Sequence, residues 1–309
     1  MQRQNGRPTL SAFTPTLIGL GLDAGGTQTR WAVGDTEGQA APISGLQLGS
    51  AEGCADIAAT LADIAAAAGP VQRVVAGITG LDTAQQAQLC SMIARAFKVS
   101  PEAVQAMSDI ELACRAAFAP GEGYLVYAGT GSIAAFLDAD GTLHRAGGRG
   151  AVIDDAGGGH WIACQALRAI WRAEDGMPGA WRASALAVRV FEQIGGSEWA
   201  QTRQWVYGAT RGELGTLALA VAAAAQADPT ALALLQQAGA ELARLARALV
   251  QRHGPRPLTL AGRVFELHPA VENALRNALP ASTDLRRLSL PAHHAAARLA
   301  AQLHHRKPT

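Results

Sequence analysis

A glycine- and threonine-rich turn near the start of the chain, between two apolar runs, carries residue types that bind phosphate. Glycine lets the backbone approach a ligand closely, and the N–H groups and threonine hydroxyls of such a turn form a nest for phosphate oxygens. The carboxylate of Asp23, at the end of the first run, suits a hydrated Mg²⁺ that bridges those oxygens. The alternative is an ordinary tight hairpin between two strands. The residues expected to bind phosphate here are Gly25, Gly26, Thr27 and Thr29.

The same design recurs in the second half of the chain. An apolar run over 124–128 leads into a second glycine–threonine turn, and another apolar run follows up to Leu137. Each half therefore begins with a strand, a hairpin and a strand, followed by a turn and a third strand, and an internal duplication is the simplest explanation. Such a duplication predicts two phosphate-binding turns that face each other across a cleft. The residues expected to bind phosphate in this second turn are Gly129, Thr130, Gly131 and Ser132.

Polar residues stand at the carboxyl ends of three predicted strands, where the ligands of α/β sheets gather. Asp23 ends the first of these strands, Thr79 follows the second, and Asp109 follows the third at the start of a helix. A carboxylate at such a junction can accept the proton of a hydroxyl group that attacks a phosphate. The alternative for Asp109 is structural, because Ser108-x-x-Glu111 is a capping box and the helix dipole favours a carboxylate there.

The elements that position these residues alternate between strand and helix, which predicts mixed α/β sheets with crossover helices. The third strand is expected over 42–48. The longest helix is expected to begin after an Asp228 cap, with Pro229 in its first turn, and to stop at Gly254. Other strands are expected over 71–78, 103–107, 142–145, 258–261 and 285–290, and other helices over 54–68, 83–97, 108–118, 160–171, 177–192, 212–226, 269–278 and 291–303.

Length and composition predict a two-domain protein without a nucleic-acid or membrane partner. The chain has 309 residues, is 49% hydrophobic and carries a formal net charge of +1, which gives no electrostatic basis for nucleic-acid binding. No apolar run approaches the roughly 20 residues that span a bilayer. We expect a flexible tail over 1–16 that is not a signal peptide, one domain over 17–119, a second over 120–290, and a closing helix over 291–305 that packs on the first.

Cysteine and histidine give no pattern typical of a metal site. The four cysteines are far apart with no CxxC pair, which argues against a zinc or iron–sulfur site built from sequence neighbours and favours reduced thiols in the cytoplasm. His160 is expected to be a packing or surface residue. The C-terminal histidines are expected to be solvated helix positions that bind no metal; they are His293, His294, His304 and His305.

Four motifs in order resemble the sugar kinase/Hsp70/actin superfamily. They are Asp23-x-Gly-Gly-Thr-x-Thr, Gly129-Thr-Gly-Ser, the glycine-rich segment 147–157 and Ala261-Gly-x-Val. Within the superfamily, the chain is most similar to the N-acetylglucosamine kinase-like branch of the BadF/BadG/BcrA/BcrD ATPase family, from Leu17 to the closing helix. The resemblance implies two ribonuclease-H-like (actin-like ATPase) domains, ATP and Mg²⁺ bound in the cleft between them, and a homodimer.

The resemblance also implies an activity and a role for each matching residue. The activity is transfer of the γ-phosphoryl group of ATP to the 6-hydroxyl of N-acetylglucosamine or a related amino sugar. Asp109 matches the family's catalytic base, Asp23 would hold Mg²⁺, and Gly262 and Arg263 would lie beside the adenosine. The residues that would contact the sugar are Thr79, Gly80, Asp109, Gly148, Gly150 and Asp155.

The chain departs from this branch on the sugar side. The branch usually has Gly-Asp-Glu-Gly-Ser where this chain has Asp154-Asp155-Ala156-Gly157-Gly158, so a carboxylate and a hydroxyl are lost, and the loop over 49–53 lacks the usual asparagine. ATP binding is therefore better supported than the acceptor, and two alternatives stay open. One is an ATPase that drives a partner enzyme, although such proteins use cysteine-held iron–sulfur clusters that the scattered cysteines do not favour. The other is a non-catalytic sugar- or nucleotide-binding regulator.

Overall fold

A computed structural model describes residues 17–25 and 28–302. The described chain forms two compact units, one made of 17–108 together with 292–302, the other of 109–291. The expected tail over 1–16, the turn residues Gly26 and Thr27, and the C-terminal segment with His304 and His305 lie outside the described residues. Within the described residues, no helix is both long and apolar enough to cross a lipid bilayer.

The first unit is built on a five-stranded mixed sheet that contains the first predicted hairpin. The strands are β1 (Gly19–Ala24), β2 (Thr29–Val33), β3 (Thr36–Ala40), β4 (Arg73–Ile78) and β5 (Val104–Ser108). The first three form an antiparallel meander, β4 and β5 extend it in parallel, and the order is β3-β2-β1-β4-β5. The strand expected over 42–48 is wrong, because that segment forms a 3₁₀ turn at Gly45–Gly49 while the polar edge strand β3 completes the meander.

Helices cover both faces of this sheet. They are α1 (Ala51–Ala68) and α2 (Gln86–Phe97) on one face and α12 (Ala292–Gln302) on the other. Leu20 and Leu22 of β1 point into the core beneath α1 and α2. Gly19 and Gly21 point to the opposite face, since side chains alternate along a strand. A Cβ on Gly19 would lie 2.6 Å from the Ala301 backbone nitrogen, so the glycines allow α12 to pack directly on the backbone of β1.

The second unit repeats the sheet of the first. Its strands are β6 (Tyr124–Ala128), β7 (Ser132–Leu137), β8 (Leu143–Gly147), β9 (Leu258–Ala261) and β10 (Leu285–Arg287). An antiparallel meander of β6, β7 and β8 is again extended by two parallel strands, in the order β8-β7-β6-β9-β10. The prediction that both halves begin with the same hairpin design is confirmed. The last strand is shorter than expected.

Nine helices are described in the second unit, and they enclose its sheet. They are α3 (Asp109–Ala117), α4 (Gly159–Gly176), α5 (Ala185–Ile194), α6 (Trp199–Gly208), α7 (Arg211–Gly215), α8 (Leu217–Ala224), α9 (Pro229–His253), α10 (Val264–Leu267) and α11 (Pro269–Asn277). As predicted, the Asp228 carboxylate caps α9 by accepting from the Thr230 and Ala231 N–H groups. The sequence missed α6, which buries only Thr202 and therefore shows no apolar stripe. The helix expected over 212–226 is two helices, α7 and α8.

Candidate active site

In the first unit, three parallel strands end level with one another. Ala24, Ile78 and Ser108 are register partners at the carboxyl ends of β1, β4 and β5. Asp23 is the penultimate residue of β1 and is half-buried, whereas Asp109 directly follows β5 in the chain and is the first residue of α3. Both carboxylates therefore stand at strand ends, as the sequence predicts.

The first phosphate turn does not present all of its predicted ligands together. Asp23 pairs with Arg30 and Ala24 with Thr29, so Asp23 and Thr29 lie on opposite faces of the sheet. Thr29 has no exposed surface, and its hydroxyl has no hydrogen-bond partner among the described residues. The Gly25 N–H group donates to the Gln28 carbonyl over 3.0 Å and closes the turn. Asp23 and Gly25 are thus the predicted ligands in this turn that are both described and partly exposed.

The Thr79–Gly80 loop is fixed from two sides within the first unit. The Thr79 N–H group donates to the Ala24 carbonyl over 2.9 Å, and the Thr79 carbonyl accepts from the Gly45 N–H group over 2.9 Å. Gly80 has a φ of +67°, and a Cβ on Gly45 would collide with the Gly80 carbonyl. The 3₁₀ turn at Gly45–Gly49 therefore sets the position of this predicted sugar-contacting loop relative to the end of β1.

The Asp109 carboxylate lies at the N-terminus of α3, half-buried. Its Oδ1 accepts a hydrogen bond from the Ile110 N–H group over 2.8 Å. The helix dipole stabilises the ionised carboxylate at this position. Glu111, the acid of the predicted Ser108-x-x-Glu111 capping box, forms an ion pair with Arg115 at 2.8 Å, one turn along the helix. Asp109 therefore lies at a helix N-terminus with one carboxylate oxygen held by the backbone.

In the second unit, the β6–β7 turn rests on the start of α4. The Gly159 and His160 N–H groups donate to the Gly129 and Thr130 carbonyls over 2.8 and 3.0 Å. The predicted phosphate ligand Ser132 is buried, and its hydroxyl donates to the Ala156 carbonyl over 2.7 Å. Ser132 thus ties the hairpin to the glycine-rich segment that precedes α4, whereas Gly129, Thr130 and Gly131 are only half-buried.

The second turn and the late glycine–arginine motif line the same pocket. Gly129, Thr130 and Arg263 share a cavity of about 110 Å³ with Val264, Leu267 and Leu219. Gly262 brings the motif to this place, because its φ is +98° and a Cβ there would collide with the Ala128 carbonyl at the end of β6. Apolar walls, a guanidinium group and glycine backbone are a surface that suits part of a nucleotide, since a cavity of about 110 Å³ is too small to enclose a whole one.

Two of the predicted sugar-contacting residues, Gly150 and Asp155, are in direct contact. Asp155 is buried with a left-handed φ of +58°, and its Oδ1 accepts from the Gly150 N–H group over 3.1 Å. Its Oδ2 is paired with the guanidinium of Arg211, which the sequence analysis did not identify. Gly148, also predicted, has a φ of +64°, and a Cβ there would lie 2.6 Å from Ile133.

The departures from the family pattern are packed against the hairpin. A Cβ on Gly158 would lie 2.7 Å from the Gly131 carbonyl carbon, so this hairpin leaves no room for a serine at 158. Ala156 is buried, and its carbonyl accepts the Ser132 hydroxyl hydrogen bond. Asp154, the first residue of the departing segment, forms an ion pair with Arg244 at 3.1 Å.

His160, expected to be a packing or surface residue, is half-buried beside this cluster. Its ring nitrogens lie 3.7 and 3.8 Å from the Cys164 Sγ atom. Burial, together with the nearby positive charge of Arg211, lowers the pKa of His160. The imidazole is therefore neutral at pH 7 and adds no positive charge to the second turn.

Comparison with known proteins identifies the family. The chain matches the sequence pattern of the BadF/BadG/BcrA/BcrD ATPase family over residues 20–283, most of its length, and it belongs to that family. The two α/β units have the two-domain fold of the sugar kinases and actin-like ATPases. No curated protein matches the chain in sequence.

Several solved structures are similar to this chain over most of its length. A candidate N-acetylglucosamine kinase from Chromobacterium violaceum is 27% identical, with a TM-score of 0.70 over 93% of this chain and 100% of that one. A candidate N-acetylglucosamine kinase from Porphyromonas gingivalis is 15% identical, with a TM-score of 0.65 over 91% and 98%. A ROK family glucokinase from Streptomyces griseus, solved with glucose and AMPPNP, is 16% identical, with a TM-score of 0.58 over 92% and 97%.

Proposed function

We propose that this protein is an ATP-dependent sugar kinase that transfers the γ-phosphoryl group of ATP to the 6-hydroxyl of N-acetylglucosamine or a related amino sugar. The observation that carries the proposal is the pocket of the second unit, where Gly129 and Thr130 meet Arg263 beside apolar walls. Two motifs more than 130 positions apart in the sequence converge there on a surface suited to a nucleotide. Family membership and the 27% identical relative named as a candidate N-acetylglucosamine kinase support the same assignment.

Asp109 is the proposed general base. A sugar hydroxyl is a weak acid, so a carboxylate that accepts its proton as it attacks the phosphorus lowers the barrier. The Asp109 carboxylate is half-buried, and its Oδ1 is held by the hydrogen bond from the Ile110 N–H group.

Asp23 is the proposed ligand for Mg²⁺. A partly exposed carboxylate at the end of a strand is the hard oxygen donor that Mg²⁺ takes alongside water and phosphate oxygens. When bound, Mg²⁺ would neutralise charge on the phosphates. Gly25 and the predicted turn residues Gly26 and Thr27 would position the phosphate chain beside Asp23. Thr29 belongs to the same turn, but its side chain is buried on the opposite face of the sheet from Asp23.

The proposed sugar contacts are the Thr79–Gly80 loop and the segment that carries Gly148, Gly150 and Asp155. Asp155 is held rigidly by Gly150 and Arg211, so it would offer a sugar hydroxyl a carboxylate of fixed orientation. The paired charge of Arg211 favours a neutral sugar over a strongly cationic one at this point. This arrangement supports an N-acetylated or neutral acceptor more than a free amino group.

The test is Asp109→Asn with Glu111→Gln as its matched control. Asp109→Asn keeps the shape of the side chain and removes the base, so we expect ATP binding to stay within about twofold while turnover falls roughly 10²- to 10⁴-fold. Glu111→Gln removes a carboxylate two residues away that is paired with Arg115, and its turnover should match wild type. Equal turnover in Asp109→Asn and wild type would exclude the assigned role.

A further inference from the structure

A second cluster of ligand-type side chains lies in the first unit, on the α12 side of its sheet. The Glu37 Oε2 atom is 2.8 Å from His294 Nε2 and 3.3 Å from His293 Nε2. One candidate ligand atom from each of the three residues lies within 4.8 Å of the other two. None of the three belongs to a motif assigned to the proposed kinase site.

The sheet and α12 bring these residues together through a close backbone contact. Gly21, Ala32 and Glu37 are register partners across β1, β2 and β3, so they share one face of the sheet. The missing side chain of Gly21 lets the His293 carbonyl lie against β1. The first turn of α12 therefore lies over Gly21, Ala32 and Glu37 on this face of the sheet. The imidazoles of His293 and His294 both contact the same oxygen of Glu37.

His293 is not the solvated residue that the sequence predicted. It is 6% exposed, and its Nδ1 atom has no partner among the described residues. Without a metal, Nε2 carries the ring proton and donates it to the Glu37 carboxylate; a metal ion would replace that proton on Nε2, with the ring proton then on Nδ1. His294 is partly exposed and Glu37 mostly exposed, so an ion can enter from solvent on their side.

We propose that Glu37, His293 and His294 bind a divalent transition-metal ion of the Zn²⁺ class, with water as the fourth ligand. Two imidazoles and one carboxylate are a donor set that zinc accepts, whereas Mg²⁺ and Ca²⁺ require oxygen ligands. Zinc–ligand bonds of about 2.0–2.2 Å place two ligands of a tetrahedron roughly 3.3–3.6 Å apart. The His293–Glu37 separation of 3.3 Å already fits, and the His294–Glu37 separation of 2.8 Å requires only a small rotation.

The cluster contains one acidic side chain, Glu37. Arg30 lies near enough to His293 to act on it electrostatically, and the α12 N-terminus also carries partial positive charge. Glu37 supplies the compensating negative charge, which makes it the most important ligand. The bound ion would tie the edge strand β3 to α12, two elements more than 250 positions apart in the chain. Its role is therefore structural, and its test requires no enzyme activity.

The test measures zinc retained by the full-length chain without nucleotide. After the protein is stripped with EDTA, we expect it to bind one equivalent of Zn²⁺ that survives gel filtration. Glu37→Gln and His294→Ala should each weaken binding by more than the roughly 10- to 100-fold that loss of an outer partner costs. His294 is chosen for substitution because the His293 ring is buried and contributes to packing. Zinc should raise the Tm of wild type and leave that of Glu37→Gln unchanged.

The matched control is the double variant His304→Ala/His305→Ala, which removes the two other histidines near the C-terminus in sequence. It should bind zinc as wild type does. Co²⁺ should give the visible absorption of a four-coordinate site in wild type and in this control, and lose it in Glu37→Gln. The proposal would be overturned if wild type fails to retain zinc, or if His294→Ala and Glu37→Gln retain as much zinc as wild type. Loss of zinc in the control variant would also overturn it. In each case the cluster would be held by hydrogen bonds alone.

Discussion

The ion pair between Asp155 and Arg211 gives the most informative stability prediction. The Asp155 side chain is 6% exposed and that of Arg211 is 43% exposed, so the pair is intermediate between buried and surface pairs. Breaking a fully buried pair costs about 3–5 kcal/mol, and exposed pairs contribute about 0–1 kcal/mol. We therefore expect Arg211→Ala to lower the free energy of unfolding of the second unit by about 2 kcal/mol, because Asp155 keeps only the Gly150 N–H group as a partner.

The assay is tryptophan fluorescence during urea unfolding, which gives the free energy, and during thermal unfolding, which gives the Tm. Five of the six tryptophans lie within residues 109–291, so the signal reports mainly on the second unit. A loss of about 2 kcal/mol lowers the Tm of a domain of this size by roughly 4–8 °C. The double variant Asp155→Ala/Arg211→Ala should recover part of the loss, because it leaves no buried carboxylate without a partner.

The matched control is Arg244→Ala. Arg244 pairs with the neighbouring acid Asp154, but the two side chains are 47% and 25% exposed, so less than about 1 kcal/mol should be lost. If Arg211→Ala costs no more than Arg244→Ala, the Asp155 carboxylate is not held by Arg211. The proposal of an oriented sugar-binding carboxylate would then fail with it.

Three further predictions concern the pocket of the second unit, the proposed Mg²⁺ ligand Asp23 and the buried thiol of Cys114. Gly262→Ala should raise the KM for ATP about tenfold, because left-handed strain of about 1–2 kcal/mol adds to a collision with the Ala128 carbonyl. The control is Gly195→Ala, where φ is +92° but a Cβ would meet open space. This variant has similar strain and should leave the KM for ATP unchanged. Asp23→Ala should lose Mg²⁺ activation of turnover, and normal activation would contradict its role. Burial and a nearby acid raise the pKa of Cys114 to about 12, so a thiol reagent at pH 8 should modify it last of the four cysteines.

Much of the fold follows from local sequence patterns. Glycine turns between apolar runs mark both hairpins, and Asp228 before Pro229 marks the start of α9. Elements without an apolar pattern were missed: β3 is a polar edge strand, and α6 buries a single threonine. A strand or helix that contributes little to a core leaves no hydrophobic period in the sequence.

The parts of the candidate site that lie in glycine-rich turns could be predicted from the sequence. Contacts between side chains that are distant in the sequence could not. Gly150 and Asp155 are only five positions apart and were both named, but Arg211, 56 positions beyond Asp155, shows no local pattern other than a helix start. Burial of His293 had a signal that was overlooked. The Gly-Leu-Gly-Leu alternation of β1 leaves one face without side chains, and such a face requires a closely packed helix.

ADP release from ATP–Mg²⁺ by the purified protein tests the central claim most directly. The acceptors to compare are N-acetylglucosamine, glucosamine, glucose, N-acetylmannosamine and none. The proposed function predicts strong stimulation by one amino sugar, with N-acetylglucosamine ahead of glucosamine because Arg211 disfavours a second cation beside Asp155. If no sugar changes the rate of ADP release, the assignment as a sugar kinase is contradicted. An ATPase that serves a partner enzyme or a non-catalytic regulator would then be favoured.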